Sequence, residues 1–277
     1  MNTELNFAEL RKDPHWSFSA LNSILNICSM QYAFGRIYKE IPEFVPMNLV
    51  FGKAFHRGAS YLYNLHKDMQ EPEENELNDF FAHALQTEVN DSRFDVPLAE
   101  GKEIDDYILK GQEMLQALAE NLDPDDEVVD TDVPFRVNLP GSKPLIGEFD
   151  AVVENKGRII IVDFKTSASK WPAIKCHKDL QATAYLYALR QGIDSRESLF
   201  RYDVITKAKT PTVTRYMTNR TQTDFNRFIQ LVHMADRVVE QEMYYPHETS
   251  FACGGCQYSG ACTSWQTCQA GKAQQVA

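Results

Sequence analysis

The sequence predicts an α/β protein, with a sheet core, a helical N-terminal region before it and a cysteine-rich tail behind it. Three observations predict this class. Apolar residues recur at helical spacing through much of the segment before residue 122. β-Branched and alternating runs take over at 127–166 and return at 198–218. A helix-period stretch separates those two groups of strands and another follows them, the interleaving of a layered α/β core.

Taken in order, "SALNSILNICSMQYAF" predicts a helix near 19–36, and "VFGKAFHRGASYLYNLH" a second over 50–66. Two more are expected near 75–89 and 101–121, on either side of a connection around 90–100. Strands follow at 127–139 and 144–154, with "LPGSKP" as the hairpin turn. The most strand-like segment is "GRIIIVDFKT" at 157–166. "KDLQATAYLYALRQG" reads as a helix stopped by Gly192. Strands near 198–206 and 211–218 lead to a long helix from Thr221 to about Met243, where Thr221 and Asp224 have capping-box spacing. Three segments result, integrated in one domain. Residues 1–125 are helical and carry Cys28 and His56, residues 126–245 form the core, and residues 246–277 form the cysteine-rich tail.

With 277 residues, 43% of them hydrophobic, the chain can bury a sizeable core. It lacks a run of about 18 apolar residues, so a membrane span is not expected. Its opening, "MNTELNFAELRKDPHW", lacks a secretory apolar segment, which makes the cytosol of a bacterium or of a phage-infected host the expected location. There the six cysteines read as metal ligands or free thiols. The net charge of −11 argues against a nucleic-acid partner, but the charge is unevenly placed. Residues 156–237 hold 15 Lys and Arg against 7 Asp and Glu, while "EPEENELNDFF" and "NLDPDDEVVDTD" concentrate acid as solvated faces and loops. A phosphate-binding face is therefore permitted.

Asp163 and Lys165 sit two apart on a strand and face one way, with Val162 and Phe164 on the other. Charge in mid-strand costs several kcal/mol unless something neutralises it. Asp150, on the preceding strand of the hairpin, can converge with Asp163. Two carboxylates suit Mg²⁺ or Mn²⁺, and a nearby lysine can orient a water and stabilise charge on a phosphoryl oxygen. The plainer alternative is a strand-edge salt bridge between Asp163 and Lys165.

These residues lie in a pattern that resembles the RecB-like branch of the PD-(D/E)XK nuclease superfamily. "FGKAFH" resembles its G-x-x-x-H (Gly52, His56) and "GEFD" its G-x-x-D (Gly147, Asp150). "DFKT" resembles its D-x-K-T (Asp163, Lys165, Thr166) and "QATAY" its Q-x-x-x-Y (Gln181, Tyr185). The four stand in the branch's order across residues 52–185. The resemblance implies a restriction-endonuclease-like core with a central mixed sheet flanked by helices. It also implies that His56, Asp150, Asp163 and the Phe164 carbonyl bind the divalent metal, and that Lys165 positions the attacking water. Gln181 and Tyr185 would contact the nucleic-acid backbone or support the site. Without that pattern, His56 reads as a packed or solvated histidine and Tyr185 as aromatic core.

The tail "CGGCQYSGACTSWQTC" places cysteines at 253, 256, 262 and 268, and Cys28 lies in the first predicted helix. Thiolates at such spacing suit zinc or an iron–sulfur cluster. The order resembles the iron–sulfur nucleases of the same branch, which include the AddB helicase-nuclease subunit, CRISPR-associated adaptation nucleases and exonuclease V-like proteins. That likeness implies a [4Fe–4S] cluster on Cys28, Cys253, Cys256 and Cys262, stapling the first helix to a tail that shows no hydrophobic core of its own. The competing set is a local Zn²⁺ site with Cys268 in place of Cys28. Cys176 reads as a free thiol.

Lys170, Trp171, Lys175 and Lys178, in "SASKWPAIKCHKD", are candidates for holding a nucleic-acid strand by charge and stacking, or else form a solvated loop whose Trp covers the sheet. Arg201, Lys207, Lys209 and Arg215 are further cations, of the kind that blunts a sheet edge. The leading expectation is a metal-dependent deoxyribonuclease, most readily an exonuclease processing single-stranded DNA or DNA ends in recombination, repair, phage replication or CRISPR adaptation. The rival is a non-catalytic DNA-binding or assembly module. No G-x-x-x-x-G-K-[ST] motif occurs, so a helicase motor is not expected in the chain. A homo-oligomer, or a partner recombination or CRISPR protein, stays open.

Overall fold

The computed structural model describes residues 6–192 and 198–276. The chain opens with short turns: α1 (Phe7–Leu10), capped by Asn6, and α2 (Phe18–Asn22), capped by Ser17. The single helix expected over 19–36 does not form. π-Wound turns at Ser23–Ile27 and Ala33–Tyr38 flank α3 (Ser29–Tyr32), and Cys28 between them is extended at φ −166° and ψ 114°. Cross-chain hydrogen bonds win over helical ones here. Met30 N donates to Tyr245 O at 3.2 Å, and Ser29 Oγ accepts from Tyr245 N at 3.0 Å.

Three long helices follow, α4 (Met47–Lys67), α5 (Glu74–Asn90) and α6 (Ile104–Glu120), the last started by a Glu103–Asp106 capping box. Strands β1 (Glu127–Val137), β2 (Leu145–Asn155) and β3 (Arg158–Ser167) form an antiparallel meander. The stretch expected as a loop after β3 contains α7 (Ala173–Lys178), which leads into α8 (Leu180–Gly192). This crossover returns β4 (Ser198–Thr206) parallel to β3, and β5 (Val213–Thr218) closes the edge antiparallel to β4. Among the described residues the sheet is mixed, with order β1-β2-β3-β4-β5. Helix α9 (Gln222–Glu240) starts at the expected Thr221–Asp224 box, and α10 (Ser259–Val276) ends the chain.

Both faces of the sheet are covered. Phe51, Phe55, Phe81 and Leu115 from α4–α6 pack on Ala151, Val153, Val162 and Phe164. On the other face Trp16, Leu21, Phe34, Leu186 and Phe228 pack on Phe149, Ile161, Phe200 and Tyr202. Each such side chain contributes roughly 1.5–3 kcal/mol on burial. The region before residue 126 is thus divided between two layers.

Two further expectations are corrected. The tail does reach a core: Tyr258 is buried with its ring 6.0 Å from Phe34, and Cys256, Cys262 and Trp265 pack beside it. A few anchors do this without an amphipathic stripe, so periodicity could not reveal it. Arg201 is no edge cation. It lies on β4, inside the sheet, 3% exposed, and pairs with Asp126 at 2.7 Å and Asp203 at 2.9 Å.

Candidate active site

The carboxylates meet because the pleat shifts phase at Asp150. Residues two apart on a strand share a face, yet Phe149 packs with the α8 layer and Ala151 with the α4 layer. Opposite this shift, Asp132 of β1 adopts a left-handed φ of 49°. Ladder pairing between β2 and β3 reaches Ala151–Val162 and stops, so the Phe164 N–H donates to Asp150 Oδ2 at 2.8 Å instead. The Asp150 side chain therefore sits between the strands, within reach of groups from both layers. Gly147 serves the same corner, since a Cβ there would lie 2.4 Å from the Phe135 ring, which stacks on Phe149 at 4.5 Å.

His56 comes from α4, with Nδ1 3.2 Å from Asp150 Oδ2. Gly52, one turn earlier, lines the same cleft and leaves space beside it. From β3, Lys165 Nζ lies 2.6 Å from Asp163 Oδ2. From α8, Gln181 Nε2 donates to Asp163 Oδ1 at 2.6 Å. Tyr185, one turn on, packs against Phe135, Phe149 and Phe200. Its hydroxyl titrates well above the usual range through burial and then the charges of Asp163 and Asp150. The motif residues expected to share a site are thus brought together.

Their ionisation is strongly biased. Burial pushes the Asp163 carboxyl up to about 6; Lys165 opposes this and Asp150 adds to it. Burial also raises Asp150, but His56, Lys165 and the Phe164 amide outweigh it and hold that carboxyl below its usual range. Burial lowers Lys165, yet Asp163 and Asp150 more than restore it, so the ammonium stays charged.

Two acids escaped sequence reasoning. Glu148 and Asp132 line a cleft of about 470 Å³ with His56 and Asp150. Glu148 is pushed up to about 7 by burial and then by Asp132 and Asp150. A signal existed for Glu148, two residues before Asp150 in "GEFD". Asp132 shows no local signature, because its place depends on strand register. Ser60 Oγ donates to it at 2.9 Å.

The lysines after β3 are exposed, but Trp171 is drawn onto the sheet, 5.2 Å from Tyr202, with Lys175 3.6 Å over its ring. Lys207 lies over Phe51 at 4.1 Å, and Arg215 approaches Asp203 at 3.6 Å.

Cys28, Cys253, Cys256 and Cys262 line one chamber of about 350 Å³, while Cys268 is exposed outside its lining. Gln31 Nε2 donates to Cys256 Sγ at 3.7 Å and His247 N to Cys28 Sγ at 3.4 Å. Burial, then Cys28, Cys256 and Cys253, raises the Cys262 thiol. Such mutual repulsion among thiolates is what a soft cation relieves. Among the described residues, no three His, Cys, Asp or Glu side chains close tightly enough to enclose an ion as they stand. Donor chemistry nevertheless fits both groups: hard oxygens with one imidazole in the cleft, and thiolates in the chamber. Cys176 is buried, its Sγ donating to the Ala173 carbonyl. Among the described residues no helix is long and apolar enough to cross a membrane.

Superposition on the crystal structure of a protein from Eubacterium rectale, described as a candidate exonuclease, gives a TM-score of 0.52 at 13% identity over 92% of each chain. A second crystal structure, SSO0001, aligns with a TM-score of 0.37 at 16% identity over 89% of this chain and 95% of that one. No curated protein matches the sequence. The family model of the PD-(D/E)XK nuclease superfamily matches residues 15–263, which takes in the cleft, the sheet and all four chamber cysteines. With most of its length under that match, the chain belongs to the PD-(D/E)XK nuclease superfamily.

Proposed function

We propose that the protein is a metal-dependent deoxyribonuclease acting as an exonuclease on DNA ends. The observation that carries this reading is the convergence of His56, Asp150, Asp163, Lys165 and Gln181 from four elements, linked by short contacts around Asp150 and Asp163. His56, Asp150, Asp163 and the Phe164 carbonyl would hold Mg²⁺ or Mn²⁺. Such an ion supplies Lewis-acid stabilisation of phosphoryl oxygens and an activated water. A cation at Asp163 would take over the compensation that Lys165 now gives. Because its neighbours keep it protonated, Lys165 acts as a positive charge that orients water and stabilises the phosphoryl oxygen, not as a base. Gln181 fixes the Asp163 carboxylate. Tyr185 supports the wall through its aromatic contacts. Ends, rather than internal sites, are favoured by the RecB-like pattern of the motifs.

The chamber is read as a [4Fe–4S] site held by Cys28, Cys253, Cys256 and Cys262, since Cys28 lines it and Cys268 does not. Such a centre is structural and suits a reducing cytosol. Cys28→Ser in anaerobically purified protein should lose iron and visible absorbance.

The activity test compares linear and covalently closed circular DNA, single- and double-stranded, with Mg²⁺, Mn²⁺ or EDTA, beside Lys165→Ala. Cation-dependent loss of linear DNA alone, abolished in the variant, is the expected result. Cutting of circles would replace the exonuclease by an endonuclease, and binding without cutting under all conditions would sink the enzyme reading.

A further inference from the structure

The cleft around Asp150 is acidic, so a polyanion needs cations elsewhere to hold its backbone near the site. The exposed lysines after β3 are one source, though their tryptophan is occupied by the sheet. A denser set stands on other elements. Lys12, His15, Arg36, Lys39 and Lys143 line a separate cleft of about 480 Å³, with Asp13 as the acid on its wall.

Three elements build this cleft: the segment between α1 and α2, the π-wound turn ending at Tyr38, and the hairpin turn before β2. Lys39 closes its turn in a left-handed conformation, φ 57°. Lys12 is held by Glu9 at 2.7 Å. Among the described residues Arg36 and Lys39 form no ion pair, and both are exposed. Lys143 lies 3.9 Å over the Trp16 ring, whose Nε1 donates to Asp236 at 2.9 Å. Several cations of one sign spaced around so large an opening match a run of phosphates better than one small anion.

The cleft also leads toward the carboxylates. Helix α1 lies against β1 and β2, the strands that carry Asp132 and Asp150, and Arg11, beside Lys12, caps its C-terminal end. Lys143 stands two residues before the start of β2 and Asp150 five residues into that strand, so the seven residues between them span at most about 24 Å at ~3.4 Å per residue.

We propose that this cleft binds the phosphodiester backbone of the strand being cut and conducts it past Arg11 to Asp150. The proposal rests on the nuclease reading and extends it. Its test is fluorescence anisotropy of a labelled single-stranded oligonucleotide with the anaerobically purified full chain, without added divalent cation and over a range of salt. The triple variant Arg36→Gln, Lys39→Gln, Lys143→Gln is compared with Lys170→Gln, Lys178→Gln, with circular dichroism to confirm the fold of each. The first should bind more than roughly tenfold more weakly, and its log Kd–log salt slope should fall by about 2, at ~0.7 per cation for a single strand. A folded triple variant that binds like wild type overturns the cleft while leaving the nuclease standing. Displacement of the oligonucleotide by an equal phosphate concentration of inorganic phosphate overturns the strand assignment and leaves a small-anion site. A wild-type protein that neither binds nor cuts DNA removes the nuclease reading and this proposal together.

Discussion

The sheet carries two charge clusters, and they differ in balance. Beneath α4, Asp126 and Asp203 face Arg201 and Arg215, with Tyr63 donating to Asp203 at 3.1 Å. Asp126, Arg201 and Asp203 are at most 3% exposed, and the acids equal the cations. Around Asp150, by contrast, Asp132, Glu148, Asp150 and Asp163 outnumber Lys165 and His56, and Asp132, Glu148, Asp150 and His56 open onto a cleft. A balanced buried set answers its own desolvation and needs nothing further. An unbalanced set at an opening leaves negative charge for a cation to neutralise. That contrast separates the structural cluster from the candidate site without reference to motif.

The largest expected effect breaks the open cluster. Asp163→Asn should lower cleavage by about 10³-fold, roughly 4 kcal/mol of barrier, with a melting temperature within a few degrees of wild type. The carboxylate is already disfavoured by burial, so its loss removes as much strain as attraction. Unfolding of the variant would place Asp163 with the structural cluster instead. Next comes the closed cluster. Arg201→Met strands two buried carboxylates and should cost about 3–5 kcal/mol in denaturant unfolding, while residual folded protein keeps its activity per molecule. Loss of activity with unchanged stability would mean that this network, too, belongs to the chemistry.

Much of this was legible in the sequence, for physical reasons. β3 announces itself because "IIIV" is buried on both faces, and the capping box at Thr221 marks α9 because its donors and acceptors are local. His56, Asp150, Asp163, Lys165 and Gln181 were legible as spaced motifs. What failed depends on distant partners. Cys28 leaves the helix because Tyr245 and His247 compete for the backbone and thiol around it. Arg201 looked like an edge cation because strand order, not local sequence, puts β4 inside the sheet. Asp132 joins the cleft through register alone.

A finer division lies within the candidate site itself, between groups that hold charge and groups that hold geometry. Gln181 donates one hydrogen bond to Asp163 and carries no charge. Gln181→Leu should weaken divalent-cation affinity by roughly ten- to a hundredfold, with cleavage recovered at high Mn²⁺. An activity loss that no Mn²⁺ concentration restores would make Gln181 a substrate contact rather than a support.

The smallest effect sharpens the charge imbalance directly. Glu148 titrates near 7 rather than at 4.5, because burial, Asp132 and Asp150 oppose its ionised form. The folded protein therefore holds this proton more tightly than the unfolded chain. Stability from this group is complete below about pH 4.5 and is lost as pH rises through about 7. Glu148→Gln cannot ionise, so without divalent cations it should match wild type near pH 5 and exceed it at pH 8. The full shift would be worth roughly 3 kcal/mol, and partial exposure reduces this to about 1. Thermal melts in EDTA at the two pH values measure the gap, and parallel curves would show that Glu148 is outside the acidic field. Adding Mg²⁺ should close the gap from the wild-type side, since a cation in the cleft stabilises the same carboxylates that repel one another without it.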